Sequence, residues 1–539
     1  EGVVTYVLGK NDVYIQDLEG DGNEATSDGI LVYQEGHGLI PGDVVKVSGQ
    51  IKEYFIEGYD DRFQVDLPST EIAASKVEKV RSGETLPTPV IIGKDRTAPT
   101  EVIDNDGLTK FEPQEDAIDF YESLEGMLVQ VDDAKVVAPQ KYGEVVVIPG
   151  TMETNTSAGG MRISEGDFNP ERITIDMGDE SFIAKMGDQF NGSITGVLSY
   201  GYSNYKLITK KLPELVEGSN EREVTSIVPA EDKLTVASYN VENFSPKVDT
   251  EKVTNLAQAI VTNLKQPDIV GLTEVQDNDG PTDSGTTDGS ESANLLIETI
   301  AALGGPTYAY TEIAPVDKQD GGQPGGNIRV GFLYNPERVE LMDAPKGTAE
   351  QAVGFEDGKL TLNPGRIDPT NPAFEDSRKS LAAQFEFQGK SVIVVANHFN
   401  SKGGDQPLFG KNQPPVLKSE VQRMEIAKVI NGFVEDVKAK DPHANIILLG
   451  DFNDFEFSNP LQTLKGDELV NMVEKVPADQ RYSYSYQGNA QVLDHILVTK
   501  NMERSTTVDM VHINSGFMEE HGRGSDHDPL LIQIGRAHV

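Results

Sequence analysis

The chain has 539 residues, with 88 Asp and Glu against 46 Lys and Arg, and a formal net charge of -42 at pH 7. It contains no cysteine, which excludes disulfides, thiolate metal sites and a cysteine nucleophile. It also has no run of 18 or more apolar residues, which excludes a membrane-spanning helix. A chain this acidic repels nucleic acid and anionic membranes in bulk, so a polyanionic partner must be held through local basic groups or bound cations.

The first 216 residues are predicted to be all-β. Short apolar runs alternate with turns, and helical periodicity is almost absent. The turn Pro41-Gly42-Asp43 and the strand after it resemble Met186-Gly187-Asp188 and its following strand. This internal similarity predicts one or two OB-like β-barrels, in an OB-like domain over residues 1–90 and a second β-rich, OB-like domain over residues 91–216. A β-rich spacer without a ligand is the alternative.

The second half of the chain is predicted to be an α/β (α+β) domain. Residues 217–233 are polar and show no hydrophobic periodicity, so we place a linker there. A new domain then spans residues 234–539. In this domain apolar strands alternate with amphipathic helices, such as the one whose apolar face carries Val253, Leu256 and Ile260. The pattern predicts two sheets packed face to face with helices outside.

Polar residues lie at or near the ends of the apolar strands of this domain. They are Asn240, Glu274, His398, Asp451, Asn453, Asp494, Asp526 and His527. Taken singly, each is most often a helix cap, a solvated turn residue or a structural group. Six strands that each deliver a carboxylate, an amide or an imidazole at one edge predict a site on a rigid scaffold.

These residues belong to six motifs. They are SYNVENF (238–244), GLTEVQD (271–277), ANHFNSKGGD (396–405), LGDFND (449–454), LDHI (493–496) and GSDHDP (524–529). In this order they resemble the motif set of the endonuclease/exonuclease/phosphatase family, which implies a DNase I-like sandwich. With its β-rich first half, the whole chain resembles secreted bacterial extracellular deoxyribonucleases. It starts at Glu1 in place of Met, as a processed chain would, so we expect secretion.

The chemistry of phosphodiester hydrolysis suits these residue types. Charge on the phosphoryl oxygens must be neutralised, water activated and the leaving alkoxide stabilised. Glu274, completed by Asp526 and Asn240, offers hard oxygen ligands for Mg²⁺ or Mn²⁺, with Ca²⁺ as a further candidate. The absence of cysteine disfavours zinc. Asp451 and Asn453, two residues apart after one strand, point to the same side and can orient the attacking water and a phosphate oxygen.

Two histidines are expected to handle protons. The resemblance implies that Asp494 pairs with His527, which fixes the tautomer of the ring and raises its basicity. His398 is expected to donate to the scissile phosphate or the leaving oxygen. Either Asp451 or His527 takes the proton from water, and the sequence leaves both open. In pancreatic-type nucleases a Glu supports the second catalytic histidine, whereas this chain has Asn327-Ile328-Arg329 there, so we expect His398 to lack that partner.

Three cations near the motifs are candidate phosphate contacts, namely Arg329, Arg378 and Lys402. A solvated surface position is the alternative for each. His495 follows Asp494 on one strand, so it should face the opposite side and be structural. The histidines outside the motifs are expected at the surface or in turns: His37, His443, His512, His521 and His538.

The acidic loop over residues 17–28 is a candidate second cation site. Side chains suited to calcium stand at positions 1, 3, 5, 7 and 12 of the loop, namely Asp17, Glu19, Asp21, Asn23 and Asp28. The flanks read as strands instead of helices, and the last position is Asp instead of the usual Glu. An acidic hairpin without an ion is therefore the alternative.

The leading hypothesis from the sequence is a secreted, divalent-metal-dependent nuclease that cuts DNA internally. DNA, or else RNA, is the expected partner, with no protein partner and a monomeric state. The first alternative is a phosphodiesterase or phosphatase of the same fold that acts on a phospholipid or a small phosphate ester. The second is an inactive binding or adhesive protein. An N-terminal region that binds nucleic acid would favour DNA.

Overall fold

The computed structural model describes residues 1–535, which form two compact units. Unit 1 comprises Glu1–Asn220, Gly404–Lys418 and Gln487–Asn489, and the remaining segments of the chain form unit 2. The boundary at residue 220 falls within the predicted linker, and the two β-rich segments lie together in unit 1. His538, expected at the surface, lies outside the described residues.

Unit 1 consists mainly of β-strands. They are β1 (Gly2–Val7), β2 (Asp12–Gln16), β3 (Gly29–Tyr33), β4 (Val44–Tyr54), β5 (Ser69–Arg81), β6 (Val90–Ile91), β7 (Leu128–Asp132), β8 (Lys135–Val136), β9 (Glu144–Ile148), β10 (Met161–Arg162), β11 (Ile173–Asp176), β12 (Gln189–Asn191), β13 (Ser193–Gly201), β14 (Asn204–Ile208) and β15 (Glu214–Val216). Two short helices lie between them, α1 (Arg62–Val65) and α2 (Ala117–Glu122).

The first five strands close into a barrel in the order β1-β2-β3-β5-β4, and β1 pairs with β4. Strands β3 and β5 run parallel, whereas the neighbouring pairs β1–β2 and β4–β5 are antiparallel. Since successive side chains of a strand point to opposite faces, one apolar set lines the interior, including Val4, Val13, Val32 and Val45. The predicted all-β N-terminal region with a closed barrel is confirmed.

The second β-rich segment differs from the barrel expected there. Nine of its ten strands form a single sheet in the order β15-β12-β8-β9-β11-β14-β13-β7-β6, and β10 lies outside it. The internal similarity that suggested a second barrel is real but local. Gly42 and Gly187 share a left-handed φ of +89° and +92°, and Asp43 and Asp188 each accept a hydrogen bond from the backbone N–H three residues earlier. A shared turn fixes how a strand begins, not how its sheet closes.

A Pro- and Gly-rich segment within the C-terminal half completes the core of unit 1. Gly404–Lys418 belongs to that unit, and Phe409 packs edge-on against Tyr121 and Tyr205. The hydroxyl of Tyr200 donates to the Phe409 carbonyl at 2.8 Å. The apolar pair Leu408-Phe409 is thus part of a core instead of an exposed loop.

The remaining strands and helices follow from Lys233 onward. The strands are β16 (Lys233–Phe244), β17 (Ile269–Val275), β18 (Ala309–Glu312), β19 (Arg329–Tyr334), β20 (Glu340–Leu341), β21 (Phe355–Glu356), β22 (Lys359–Leu360), β23 (Gly365–Arg366), β24 (Leu381–Phe387), β25 (Lys390–His398), β26 (Ile446–Asp451), β27 (Leu469–Asn471), β28 (Tyr484–Tyr486), β29 (Asn489–Gln491), β30 (Asp494–Thr499), β31 (Thr506–Met510) and β32 (Leu530–Gly535). The helices are α3 (Thr250–Gln258), α4 (Ser290–Ala302), α5 (Lys418–Lys440) and α6 (Asn459–Lys465).

Unit 2 is a sandwich of two sheets with helices outside. One sheet has the order β18-β19-β17-β16-β32-β31 and the other β20-β24-β25-β26-β30-β27. Both contribute to one apolar core, with Val236 and Ile532 from the first sheet and Val394 and Leu449 from the second. Helices α3 and α4 pack on the first sheet, and α5 and α6 on the second. The predicted α+β sandwich is confirmed.

Across residues 1–535, none of the helices has the length and apolar character that crossing a bilayer requires.

Candidate active site

Strand register brings the motif residues of the second sheet to one edge of the sandwich. His398, the last residue of β25, pairs with Asp451, the last residue of its parallel neighbour β26. Asp451 in turn pairs with Asp494, the first residue of the antiparallel strand β30. Because paired residues of adjacent strands project to the same face, the three side chains form a row.

Asp451 lies at the centre of the site. Its Oδ2 is 3.7 Å from Nε2 of His398 and 3.7 Å from Nε2 of His527. Across the sandwich, Glu274 Oε1 is 3.8 Å from the same His398 nitrogen. Burial raises the pKa of Asp451 to about 7, although the neighbouring His527 opposes this rise. A buried carboxylate thus faces two imidazoles and a second carboxylate.

His527 is held by a buried carboxylate. Its Nδ1 donates to Asp494 Oδ2 at 2.7 Å, and the Ser483 hydroxyl donates to the same oxygen at 2.8 Å. The Tyr484 ring packs beside the imidazole, with centroids 4.7 Å apart. Burial alone would lower the pKa of His527, but Asp494 and Asp451 together raise it well above its ordinary value. With Nδ1 bound to Asp494, the other ring nitrogen faces Asp451.

His398 has a different environment. Its Nδ1 is buried and, within the described chain, has no hydrogen-bond partner. This agrees with the expectation that no glutamate from β19 supports this ring. Burial, reinforced by the positive charges of Arg378 and His527, lowers the pKa of His398 well below its ordinary value. The ring is therefore neutral, so it carries one N–H donor.

The carboxylates of the site fit a divalent cation. Glu274, His398 and Asp451 offer ligand atoms that lie within 4.8 Å of one another. Glu274 has a left-handed φ of +62°, and its second oxygen accepts the backbone N–H of Asn243 at 2.9 Å. Asp526 Oδ1 lies 4.0 Å from His527 Nε2. Crowded carboxylates with adjacent imidazoles are a ligand set that suits Mg²⁺ or Mn²⁺.

Asn240, predicted as an oxygen ligand of the cation, lies between two carboxylates, and its role as a ligand stays a prediction. Its amide nitrogen, not its oxygen, faces the carboxylates, and it donates at 3.1 Å to both Glu274 and Asp451. Its oxygen instead accepts the backbone N–H of Glu242 at 2.9 Å. Asn240 is therefore placed to orient two acidic groups from opposite sheets.

Asn453 follows Asp451 in the loop after β26. Its backbone N–H donates to Asp451 Oδ1 at 2.9 Å, and its side-chain amide donates to the Phe399 carbonyl at 2.8 Å. The residue has a left-handed φ of +51°, which Asn adopts more readily than most residues. Asn453 thus fixes the Asp451 carboxylate, and a direct contact of its side chain with phosphate stays a prediction.

The three predicted phosphate-binding cations have internal partners. Arg329 is only 1% exposed, and its guanidinium donates to Glu312 at 2.9 Å and to the Asn327 carbonyl. Lys402 pairs with Asp454 at 2.8 Å. The burial of Arg329 in an ion pair contradicts its predicted contact with phosphate.

Arg378 is also buried, but its charge acts on the site. It donates to the carbonyls of Phe399 and Asp320 at 3.0 and 3.3 Å. Its positive charge also contributes to the lowered pKa of His398. Arg378 therefore affects the site through its charge on His398, and its direct contact with substrate stays a prediction.

Sequence reasoning missed several residues that position the site. Asp528 is fully buried, and its Oδ1 accepts the backbone N–H groups of Ile513, Asn514 and Ser515. It thereby fixes the loop that carries Asp526 and His527. Its place in GSDHDP was the one available signal. Ser483 and Tyr484, which contact Asp494 and His527, lie in the run YSYSY, which carries no motif.

Other histidines are structural. His495 is fully buried between Asn471 and the Asp454 carbonyl, away from the predicted proton chain. His512, expected at the surface, is instead buried and stacked on Tyr482 with centroids 3.9 Å apart. His443 is exposed, and His37 and His521 are half-buried.

The acidic loop over residues 17–28 is a hairpin. It joins the antiparallel strands β2 and β3, and Asp17 N–H donates to the Asp28 carbonyl at 2.9 Å. The predicted ligands mostly accept local hydrogen bonds: Asp17 from Glu19, Asp21 from Asn23 and Thr26, Asn23 from Ala25, and Asp28 from Asp21. Among the described residues, these carboxylates do not form a group of three with oxygens within 4.8 Å of one another. This geometry favours the hairpin alternative over calcium binding.

Two family models match parts of the chain. Residues 361–521 match the model of the Endonuclease/Exonuclease/phosphatase family, and residues 91–217 match DUF8508, a domain of unknown function. No significant match was found among curated proteins.

Similar solved structures cover just over half of this chain. The humanized D. rerio TDP2 is 16% identical, with a TM-score of 0.36 over 56% of this chain and 99% of that one. Truncated Caenorhabditis elegans TDP2 is 14% identical, with a TM-score of 0.36 over 56% and 98%. The human Nocturnin catalytic domain with bound sulfate is 16% identical, with a TM-score of 0.36 over 57% and 95%.

The two-sheet sandwich, with acidic and imidazole groups at one edge, supports a phosphodiester hydrolase in general. Over residues 361–521 the chain thus matches the endonuclease/exonuclease/phosphatase family, which is the resemblance predicted from the six motifs.

Proposed function

We propose that this protein is a secreted, divalent-metal-dependent nuclease that hydrolyses internal phosphodiester bonds of DNA. One observation carries the proposal: Glu274, His398, Asp451 and the Asp494–His527 pair converge at one edge of the sandwich. These groups provide the acid–base and cation-binding functions that phosphodiester hydrolysis needs.

Glu274 and Asp526 are the residues that would hold Mg²⁺ or Mn²⁺, with Asn240 orienting Glu274. When bound, the cation supplies charge neutralisation for the phosphoryl oxygens. The left-handed backbone at Glu274, the Asn243 N–H and the Asn240 amide together fix the carboxylate before any ion arrives. Such preorganisation is typical of functional sites.

Asp451, His527 and Asp494 form the chain that takes the proton from the attacking water. Asp494 fixes Nδ1 of His527, so Nε2 points toward the Asp451 carboxylate. An imidazole held in this way stabilises charge that develops in the transition state. On the other side of Asp451, the neutral His398 has one N–H to donate to the phosphate or to the leaving oxygen.

Unit 1 supports DNA as the substrate over a small ester. Tyr54, the last residue of the long barrel strand β4, is 44% exposed, and Tyr59 and Phe63 in the segment after it are 54% and 58% exposed. The Arg62 guanidinium lies 4.4 Å from the Phe63 ring centroid. Exposed aromatic rings with an adjacent arginine are the surface on which single-stranded bases stack. This surface gives an acidic protein a local means of binding a polyanion.

Supercoiled plasmid tests the proposal directly. We expect full-length protein with Mg²⁺ to produce relaxed circles, and we expect excess EDTA or Glu274→Gln to prevent this. Cleavage of linear DNA alone would indicate an exonuclease, and cleavage of bis(p-nitrophenyl) phosphate alone would indicate the small-ester alternative. Inertness toward all three substrates would support the binding protein. Secretion rests on the resemblance to secreted nucleases, and nuclease activity in the culture fluid of the source cells tests it.

A further inference from the structure

A second acidic cluster lies in unit 1, in the segment before helix α2. Asp104, Asp106 and Asp116 each offer a carboxylate oxygen, and these oxygens lie within 4.8 Å of one another. Asp116 is 0% exposed, and neither of its carboxylate oxygens has a hydrogen-bond partner among residues 1–535. A buried carboxylate without a partner is costly, because burial removes its hydration and nothing replaces it.

Backbone hydrogen bonds hold this cluster together. The N–H groups of Ala117 and Ile118 donate to the carbonyls of Val102 and Ile103, each at 3.1 Å. These bonds fasten the segment that precedes Asp104 to the start of the helix that follows Asp116. Ala117 and Ile118 are buried in the apolar core of the segment, and Ile103 and Leu108 pack against it. The carboxylates therefore cannot separate without disrupting the core.

The other two carboxylates are fixed by their own loop. Asp104 accepts the N–H groups of Gly107 and Leu108 at 2.7 and 3.1 Å. Asp106 accepts those of Thr109 and Lys110 at 2.9 and 3.1 Å. Within the described part of the chain, none of the three aspartates forms an ion pair with a lysine or arginine. Three negative charges are thus held in one place without a protein cation.

We propose that Asp104, Asp106 and Asp116 bind a structural Ca²⁺ ion. Two oxygens bound to one Ca²⁺ lie at most about 4.6–5.2 Å apart, twice the Ca–O distance, and the three aspartate oxygens, all within 4.8 Å of one another, meet that limit. Mg²⁺ demands about 4.0–4.2 Å and near-ideal octahedral geometry. Only oxygen ligands are offered, which is the chemistry Ca²⁺ prefers. The ion binds the orphaned oxygens of Asp116 and offsets the repulsion within the cluster.

Calorimetric titration of the full-length protein, stripped with EDTA, tests this site. The Glu274→Gln variant serves as the parent, so that active-site binding is weakened. We expect CaCl2 to bind the parent and to raise its Tm. The change Asp116→Asn should abolish both effects, whereas the matched change Asp21→Asn, in the acidic hairpin, should leave both intact. Because Asp116→Asn removes a buried unpaired charge, its Tm in EDTA should equal or exceed that of the parent.

Three results would overturn the proposal. One is a parent that shows neither heat nor a Tm rise with millimolar CaCl2. Another is an Asp116→Asn variant that retains both effects. The third is MgCl2 binding as tightly as CaCl2, which would contradict the assignment of the ion. If Asp116→Asn does not fold, Asp106→Asn, at a half-buried position, replaces it with the same expected losses. Because the readouts are heat and Tm, the outcome is independent of nuclease activity.

Discussion

Asp494 and His527 form the shortest contact between ionisable side chains in the candidate active site. Nδ1 of His527 donates to Asp494 Oδ2 at 2.7 Å, and the carboxylate is held in turn by the Ser483 hydroxyl. The pairing leaves Nε2 of the imidazole 3.7 Å from Asp451 Oδ2. A buried carboxylate that orients an imidazole in this way sets its tautomer and raises its basicity.

Replacing Asp494 with asparagine should lower kcat for plasmid nicking by about 10²-fold or more while changing KM little. The amide keeps the size of the side chain but no longer stabilises an imidazolium. Steady-state kinetics at saturating Mg²⁺ measure the change. The exposed Asp467→Asn provides the matched control and should retain full activity. A full-rate Asp494→Asn enzyme would refute the assigned pairing.

His398→Ala, Asp451→Ala and His527→Ala should each reduce turnover by at least about 10²-fold, as expected for acid–base groups. Both imidazoles lie beside Asp451 Oδ2, so each substitution removes one member of the same catalytic group. His443→Ala, at an exposed position, is the control. Circular dichroism confirms folding. Activity within a few-fold of wild type would remove that residue from the mechanism.

Arg329 should matter for stability and not for substrate affinity. Its guanidinium is buried against Glu312, and breaking a buried ion pair from one side costs about 3–5 kcal/mol. We expect Arg329→Met to lower the free energy of unfolding by an amount near the lower end of that range. KM for DNA should not change. A raised KM with unchanged stability would instead restore the phosphate contact predicted from the sequence.

The pair Glu223–His512 should make stability depend on pH. Burial alone would lower the pKa of His512, but the hydrogen bond that its Nδ1 donates to Glu223 and the charge of Asp528 raise it. Burial alone would raise the pKa of Glu223, but the contacts with His512 lower it. The histidine contribution is therefore complete below about pH 6.5 and is lost as pH rises; the glutamate contribution is complete above about pH 4.5 and is lost as pH falls.

Glu223→Gln should thus lower Tm most between about pH 4.5 and 6.5, and less above about pH 8. Thermal melts of wild type and variant across this range measure the difference. The exposed Glu337→Gln serves as a control with no such dependence. A Tm difference that is constant with pH would contradict the ion pair.

Site residues that lie at the ends of apolar strands could be predicted from the sequence. A carboxylate or imidazole that follows an apolar strand must emerge at the sheet edge, so Glu274, His398, Asp451 and Asp494 could be placed near one another. The sandwich followed from the alternation of apolar strands with amphipathic helices. These features are local in the chain or repeat along it.

Features that depend on partners distant in sequence could not be predicted. The burial of Arg329 depends on Glu312 from the neighbouring strand, and the orientation of Asn240 depends on two carboxylates from opposite sheets. The acidic spacing over residues 17–28 resembled a calcium loop, whereas the buried and unpartnered Asp116 has no such signature. Burial of a single carboxylate is a property of the packed core and leaves no pattern in the chain.

A crystal structure with Mn²⁺, grown at an ion concentration that fully activates the enzyme, tests the central claim most directly. We expect an anomalous peak within about 2.0–2.3 Å of a Glu274 carboxylate oxygen, at the edge occupied by Asp526, His398 and Asp451. Such a peak should be absent from Glu274→Gln crystals grown in the same way. An active crystal form with no Mn²⁺ at Glu274, or with the ion bound elsewhere, would contradict the account.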